Sequence, residues 1–367
     1  MEKHIILLLF LLSFYDNAFA TLIPVNIDVP AGAVNKSFPV RAGIPFPEAD
    51  ETCLMSAENI RLLDKNGMEV PVQVTKVNSW YNKGKRDKIK AAWLDFLADV
   101  PASKQSAVYY LEYGKDISRK AQSKESVKIT KTEGGYEVVT GLLKMVLSKG
   151  ENFISQIWLD SNRNGVFEDS EKTLNGNAGL FADMSYGGTP SASKAIVESI
   201  EMEDGGPVLA SFCFKGRYEY PNKKEAPFVV RLQVFGGKSY LRIYDTWVFN
   251  GEGAKKPDWT KPYDQLVSLG ITFPLNLTGT NKCFYGAGGK IIDCEKKGNE
   301  YYINQSSYKK YDAGNGVKEG VLEGWFNVNG ENCGVSAGIR NVYQEFPKEI
   351  SYDSGKKEMR LPRNFLR

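Results

Sequence analysis

The chain has 367 residues, with 47 Lys and Arg against 44 Asp and Glu and a net charge of +3. Both signs are scattered along it, which argues against a nucleic acid as a partner, because phosphate binding needs a concentrated basic face. The single histidine, His4, lies in a leader that we expect to be removed. A Ser-His-Asp triad, a Cys-His pair and a His-ligated metal are therefore excluded, and any acid–base chemistry would rest on Asp, Glu, Lys, Tyr or Arg.

That leader, residues 1–20, has the layout of a secretory signal peptide. A short basic start is followed by an apolar run over residues 5–14, and Ala18-Phe19-Ala20 is a small-x-small cleavage site. We expect the mature chain to begin at Thr21 and to be secreted, periplasmic or held at the cell surface. No later stretch reaches about 18 uninterrupted apolar residues, so no membrane span is predicted.

Alternation of apolar and polar residues, typical of β-strands, dominates the rest of the chain, and no segment holds a helical period over three turns. Residues 115–126 are polar, charged and poor in apolar side chains, as linkers are. We therefore predict an all-β protein, with a β-barrel-like N-terminal domain over residues 21–120 and a larger β-sandwich over residues 125–367.

Within the second domain, residues 228–249 predict a β-hairpin. Two alternating runs flank Gly236-Gly237, which suits a tight turn. The returning run alternates through Leu241, Ile243 and Asp245.

The most specific local motif is segment 160–171, which matches the calcium-loop pattern D-x-[DN]-x-[DN]-G-x5-E at every constrained position. Calcium prefers oxygen ligands, and the glycine permits the sharp turn that such a loop needs. The candidate ligands are the side chains of Asp160, Asn162, Asn164, Glu168 and Glu171 and the backbone carbonyl of Val166. We expect a structural Ca²⁺ here. The alternative is an Asx-rich turn without metal.

Aromatic residues, 12% of the chain, are a second feature that bears on function. The apolar face of a sugar ring can stack on an exposed aromatic ring, whereas a buried ring contributes to a core. Trp80, Tyr81 and Trp259 lie outside clear strand alternation, and Arg86 belongs to a basic insertion next to the first two. We predict that these four residues bind carbohydrate. Core packing is the alternative for each ring, and a solvated loop is the alternative for the insertion.

The sequence contains five cysteines, and export permits disulfides. The turn-rich segment between Cys283 and Cys294 could fold back as a hairpin, so we expect a bridge between these two. The alternative is that all five are buried free thiols. The odd number leaves at least one thiol unpaired within the chain.

Short motifs in order along the chain resemble the exo-rhamnogalacturonan lyase-like family, which includes YetA-like proteins. In the first domain they are a G-x-P-F-P turn, a D-x-x-G-x-E-V-P-x-Q hairpin and a W-x-D-F strand. These motifs lie within residues 38–47, 59–74 and 92–96, and the similar segments of the second domain are 263–279, 324–327 and 338–347. The resemblance implies a barrel-like first domain, a central β-sandwich and a carbohydrate-associated function.

Two departures from the family affect the functional interpretation. Residues 81–88 form a basic insertion where the family often has a short turn, and we expect no counterpart here of the helical toroid that normally follows the sandwich in that family. No catalytic residue is therefore carried over. We predict a glycan-binding or accessory protein with a polysaccharide or oligosaccharide as partner. One alternative is a lyase or glycoside hydrolase acting on pectin-type glycans, whose site lies between the two domains or is completed by a separately encoded catalytic domain. The other is a structural cell-surface protein or a truncated remnant.

Overall fold

The structure is a computed structural model. It describes residues 20–28, 36–49, 53–81, 84, 87–100, 106–123, 126–151, 153–249, 251 and 263–364. The predicted signal peptide lies outside this part of the chain, apart from Ala20. Regular structure within these ranges consists of β-strands and two short 3-10 helices, Ala57–Asn59 and Asp169–Glu171. The prediction of an all-β protein is confirmed. The chain divides into two compact units, Met1–Lys124 and Glu125–Arg367.

The first unit is built from antiparallel strands in two sheets. Its strands are β1 (Thr21–Asp28), β2 (Phe38–Pro45), β3 (Ile60–Leu63), β4 (Glu69–Val70), β5 (Val72–Ser79), β6 (Ile89–Ala98) and β7 (Ser106–Tyr113). One sheet has the order β1-β7-β3-β4 and the other the order β2-β6-β5. Alternate side chains of both sheets, such as Leu111 from one and Leu94 from the other, fill a common core.

The second unit contains the remaining strands. They are β8 (Lys128–Lys131), β9 (Gly135–Val139), β10 (Leu143–Ser148), β11 (Ile154–Leu159), β12 (Gly179–Tyr186), β13 (Thr189–Ser191), β14 (Lys194–Gly205), β15 (Leu209–Glu219), β16 (Glu225–Phe235), β17 (Leu241–Trp247), β18 (Gln265–Pro274), β19 (Lys282–Ala287), β20 (Lys290–Asp293), β21 (Lys296–Lys297), β22 (Glu300–Ser307), β23 (Lys310–Asp312), β24 (Val317–Glu319), β25 (Leu322–Asn329), β26 (Gly334–Gly338), β27 (Lys348–Asp353) and β28 (Glu358–Asn364).

These strands form four sheets around one continuous core. The largest runs β13-β12-β18-β28-β27-β22-β23-β24, with β21 paired to β22. The other three have the orders β11-β10-β9-β8, β14-β15-β16-β17 and β20-β19-β25-β26. Strands such as β10 and β16 bury alternate residues in this core, as the strands of a β-sandwich do.

The predicted hairpin over residues 228–249 is confirmed. Strands β16 and β17 pair antiparallel, with Phe228 opposite Trp247 and Val234 opposite Leu241. Gly237 adopts a φ of 67° in the connection, a backbone conformation that glycine reaches without strain. Within the described ranges, no helix is long and apolar enough to cross a membrane.

Candidate functional site

The predicted calcium loop follows the end of β11 and leads into the 3-10 helix Asp169–Glu171. Asp160, its first residue, is 4% exposed even though the tip of the loop projects into solvent. One carboxylate oxygen of Asp160 accepts the Asn164 N–H at 3.1 Å, and the other accepts the Gly165 N–H at 2.9 Å. Gly165 has a φ of 78°. The Asp160 side chain therefore holds the loop closed around itself.

Further side-chain oxygens of the loop accept its backbone N–H groups. The Asn162 side-chain oxygen accepts the Asn164 N–H at 2.9 Å, and the Asn164 oxygen accepts the Val166 N–H at 2.7 Å. Such short Asx contacts wind the backbone into a tight turn. The Val166 side chain is exposed at the tip of this turn.

The far end of the loop closes against its start through Glu171. This residue is 9% exposed, and its Oε1 accepts the Ser161 N–H at 2.9 Å, so its carboxylate lies at the residue that follows Asp160. The other oxygen, Oε2, accepts the Glu168 N–H at 3.3 Å. The Glu168 side chain is exposed and accepts the Ser170 hydroxyl at 3.4 Å. The loop thus brings its two buried carboxylates together and leaves Glu168 on the outside.

The donor chemistry of this loop suits a hard cation. In the described part of the chain, neither Asp160 nor Glu171 forms an ion pair, and no three Asp, Glu, Cys or His side chains converge as a metal site. A cation would therefore depend on amide and carbonyl oxygens as well as carboxylates, as calcium sites do. Asp160 accepts the Asn164 and Gly165 N–H groups and Glu171 accepts those of Ser161 and Glu168, so the loop is also consistent with the Asx-rich turn without metal.

The predicted carbohydrate-binding residues differ in their exposure. The Trp80 ring is half-buried, its indole N–H donates to the Phe46 carbonyl at 3.1 Å, and the Lys90 ammonium lies 4.8 Å from its centroid. Tyr81 is 70% exposed. Arg86 and Trp259 lie outside the described residues. Of the two predicted rings that the structure describes, Trp80 is therefore packed against the protein and its sequence neighbour Tyr81 is exposed.

A second aromatic surface, which the sequence analysis did not single out, lies on the sheet β2-β6-β5. Strand β6 turns Ala92, Leu94 and Phe96 into the core, so Trp93 and Asp95 project from the opposite face. This outer sheet face consists of two cross-strand rows. The rows are Gly43–Trp93–Thr75 and Arg41–Asp95–Gln73.

Trp93 is 41% exposed and lies across Gly43. Beside it, the Arg41 guanidinium binds Asp95 through two hydrogen bonds, from Nε at 2.7 Å and from Nη2 at 2.9 Å. The Arg41 Cζ is also 4.6 Å from the centroid of the Trp93 ring. Asp95 is 3% exposed and accepts the Thr75 hydroxyl at 3.4 Å. An exposed ring therefore stands next to polar groups whose positions are set by paired hydrogen bonds.

The signal for this face was present in the W-x-D-F motif. Alternation alone places Trp93 and Asp95 on the face opposite Leu94, but it does not name their cross-strand neighbours. The pairing of β2 with β6 brings Arg41 and Gly43 to them from a distant part of the sequence.

The predicted disulfide is not formed in this structure, where Cys283 and Cys294 are free thiols. The two lie at the open end of the β19–β20 hairpin, where the Cys294 N–H donates to the Cys283 carbonyl at 2.8 Å. Burial raises the pKa of both thiols to about 12. Because the thiolate is the reactive form, burial makes both thiols unreactive in the folded chain.

The fold defines the chain as an all-β protein with a β-sandwich. Residues 127–282 match the family model described as "PcRGLX-like protein central beta sandwich domain". The resemblance to the rhamnogalacturonan lyase-like family is thereby confirmed for the central β-sandwich. No curated protein matches the chain.

Two solved structures from Enterococcus faecalis are similar to the chain. A protein in glycosyl hydrolase family 38 matches with a TM-score of 0.52 and 9% identity, over 94% of this chain and 40% of that one. An α-mannosidase matches with a TM-score of 0.47 and 11% identity, over 93% and 39%. The first shows a shared fold. The chain spans about two fifths of the length of both proteins.

Proposed function

We propose that this chain is an exported glycan-binding or accessory protein, and that the outer sheet face around Trp93 binds the glycan. The observation that carries the proposal is the exposed Trp93 ring lying across Gly43, next to the paired Arg41 and Asp95. A ring that is already fixed in place loses little conformational entropy when a sugar stacks on it.

The polar groups of the same face supply the hydrogen bonds that a sugar needs. Arg41 carries donor N–H groups, and the partly exposed Thr75 hydroxyl both donates and accepts. The carboxylate of Asp95 holds the guanidinium in one orientation. Arg41 therefore loses little side-chain conformational entropy when it binds a ligand. Pectin-type polysaccharides, rhamnogalacturonan among them, are the first ligands to test, because the matching domain comes from the rhamnogalacturonan lyase-like family.

The test is a glycan array followed by affinity electrophoresis in gels that contain the best ligands. The mature protein is expected to bind, and Trp93→Ala should weaken binding at least about tenfold, or ~1.4 kcal/mol. Tyr244→Ala is the matched control, since Tyr244 is a similarly exposed ring on a different sheet. Equal retardation of wild type and Trp93→Ala on every retaining gel would move the binding surface elsewhere, with Tyr81→Ala as the next variant.

We also propose that the loop 160–171 holds one structural Ca²⁺. Asp160, Asn162, Asn164 and Glu171 would supply side-chain oxygens and Val166 its carbonyl. Glu168 would act directly or through water. The buried positions of Asp160 and Glu171 support this arrangement. When bound, the ion would neutralise both carboxylates and fasten the loop to the end of β11.

We propose a separately encoded catalytic domain as a second partner of the chain. Incubation of the mature chain with rhamnogalacturonan, while ultraviolet absorbance of unsaturated products is followed, tests this division of labour. No product is expected from the chain alone. A steady release of product by the purified chain would make it a lyase in its own right.

A further inference from the structure

A carboxyl group lies on the core-facing side of β17. This strand alternates, and its inward row is Leu241, Ile243, Asp245 and Trp247. Across the sheet, Asp245 is paired with Val230, which is fully buried. The position therefore places an acid where the pattern of the strand calls for an apolar side chain. β17 is also the last strand of its sheet, so this acid lies close to an edge.

Several polar atoms at and near this acid have no hydrogen-bond partner within the described protein, whereas the nearby Tyr220 hydroxyl donates to the Ala182 carbonyl at 2.7 Å. Both carboxylate oxygens of Asp245 and the hydroxyl of Tyr218 are buried without one. Tyr218 lies near enough for the Asp245 charge to add to the effect of burial in raising the pKa of Tyr218. The buried indole N–H of Trp247 likewise lacks a hydrogen bond of normal geometry and is close to Tyr220. Buried polar groups in proteins are nearly always hydrogen-bonded, so an unpartnered cluster calls for an explanation.

Aromatic and charged side chains connect this cluster to the protein surface. The ring of Tyr220 packs edge-on against Tyr186, with centroids 5.2 Å apart. The Lys224 ammonium lies 4.6 Å from the centroid of Tyr186 and 2.8 Å from the carboxylate of Asp264. Tyr186 and Lys224 are partly exposed, whereas Tyr218 and Tyr220 are buried. One end of the sandwich thus presents aromatic rings that lead inward to Asp245.

We propose that this end of the second unit is a binding site for one neutral sugar residue, with Asp245 and Tyr218 as its innermost hydrogen-bonding groups. The choice of a sugar rests on the proposed function, but the site is separate from the outer sheet face of the first unit. Two carboxylate oxygens accept the hydroxyls of a sugar, while the Tyr218 hydroxyl and the Trp247 indole donate to its oxygens. The rings supply apolar surface for its C–H groups. A negatively charged ligand is disfavoured, because it would be repelled by the Asp245 carboxylate.

Binding at this site depends on pH. Burial raises the pKa of Asp245 to about 7. Tyr218 from β15 interacts electrostatically with Asp245, and Tyr220 and Asp183 also act on Tyr218. Strand β16 presents apolar side chains to the core. The ionised carboxylate accepts two hydroxyl donors and the protonated form accepts fewer. Affinity for a neutral sugar is therefore expected to rise as pH increases through about 7, with release of a proton on binding below that pH.

The experiment is saturation-transfer NMR and calorimetry of the mature protein with methyl galactoside, methyl rhamnoside and methyl galacturonate at about pH 5.5 and about pH 8, chosen to bracket the transition at about 7. A neutral glycoside should bind saturably and more tightly at the higher pH. Asp245→Asn and Tyr218→Phe should each weaken that binding about tenfold or more. Asp293→Asn, an exposed aspartate on β20, is the control and should bind as wild type does.

Several outcomes would overturn the proposal. They are a lack of saturable binding by all three glycosides, tighter binding of the galacturonate, or equal affinity in Asp245→Asn and wild type. If Asp245→Asn fails to fold, the affinity of Tyr218→Phe and the pH dependence of binding by the wild type still test the proposed site. The Trp93→Ala variant separates this proposal from the previous one, because it should lose polysaccharide binding and keep the binding of the small glycoside.

Discussion

Trp93 lies across Gly43 of the neighbouring strand, so that a Cβ atom on Gly43 would be 3.5 Å from the Trp93 Cδ1 and 3.6 Å from its Nε1. That spacing is an ordinary van der Waals contact, and the ring occupies the surface that a longer side chain at position 43 would cover. A side chain larger than alanine at position 43 would therefore displace the indole from its place against the sheet.

Substitutions at Gly43 test this relationship. Gly43→Ala should fold and bind glycan as the wild type does, because its methyl group fits the available space. Gly43→Val should also fold, since a β-branched residue suits a strand. Its longer side chain should displace Trp93 and weaken glycan binding several-fold in affinity electrophoresis. If Gly43→Val binds as tightly as Gly43→Ala, the position of the ring does not matter for recognition.

Calcium should stabilise the second unit if the loop 160–171 binds it. An ion that binds only the folded state adds about 2.7 kcal/mol when its concentration is one hundred times the Kd. The melting temperature should therefore rise with added calcium, and Asp160→Ala should remove the rise. Asp169→Ala is the matched control, because Asp169 is an exposed neighbour that pairs with Lys172 and is not a predicted ligand. Superimposable melting curves in calcium and in excess chelator would rule out the site.

The buried acid at Asp245 makes stability fall as pH rises. Its pKa is raised by burial from 3.8 to about 7, so the folded protein keeps a proton that the unfolded chain releases. Below about pH 4 Asp245 is protonated in both the folded and the unfolded chain, so its burial as a charge costs no stability. The penalty grows between about pH 4 and 7 and then stays constant, at up to about 4 kcal/mol.

Asp245→Asn removes this titration. Urea unfolding should show the variant gaining stability relative to wild type between about pH 4 and about pH 8, and the control Asp293→Asn should show no such gain. The difference between the two pH values is the informative quantity, because the amide introduced by the substitution still costs about 1–3 kcal/mol if it is unpartnered. A constant difference between variant and wild type across this range would mean that Asp245 ionises normally.

The buried cysteines should be unreactive in the folded protein. With pKa values near 12 instead of 9, the thiolate population of Cys283 and Cys294 near neutral pH falls about a thousandfold. A thiol reagent added to the native protein should leave both unmodified, and urea should expose them. If a non-reducing peptide map recovers the two residues in one cross-linked peptide, this prediction is wrong and the disulfide that the spacing predicts is formed.

The sequence alone predicted the features whose determinants are close together in the chain. The β16–β17 hairpin follows from alternation on both sides of Gly236-Gly237, because cross-strand pairing next to a tight turn needs few long-range choices. The turn over residues 160–171 also closes through contacts between near neighbours, such as Asp160 with Gly165, so its pattern can be recognised in the sequence. The calcium ion itself remains a prediction.

Tertiary structure decided everything that depends on strand register. Trp93 gains Gly43 and Arg41 as neighbours only because β2 pairs with β6 in one register, and a shift by one residue would turn each side chain to the other face. In the sequence, Asp245 is one more member of an alternating strand. Its burial beside Tyr218 arises from the packing of distant strands into a sandwich, and it is that desolvated environment, rather than any local motif, which raises its pKa and makes it a candidate for ligand binding.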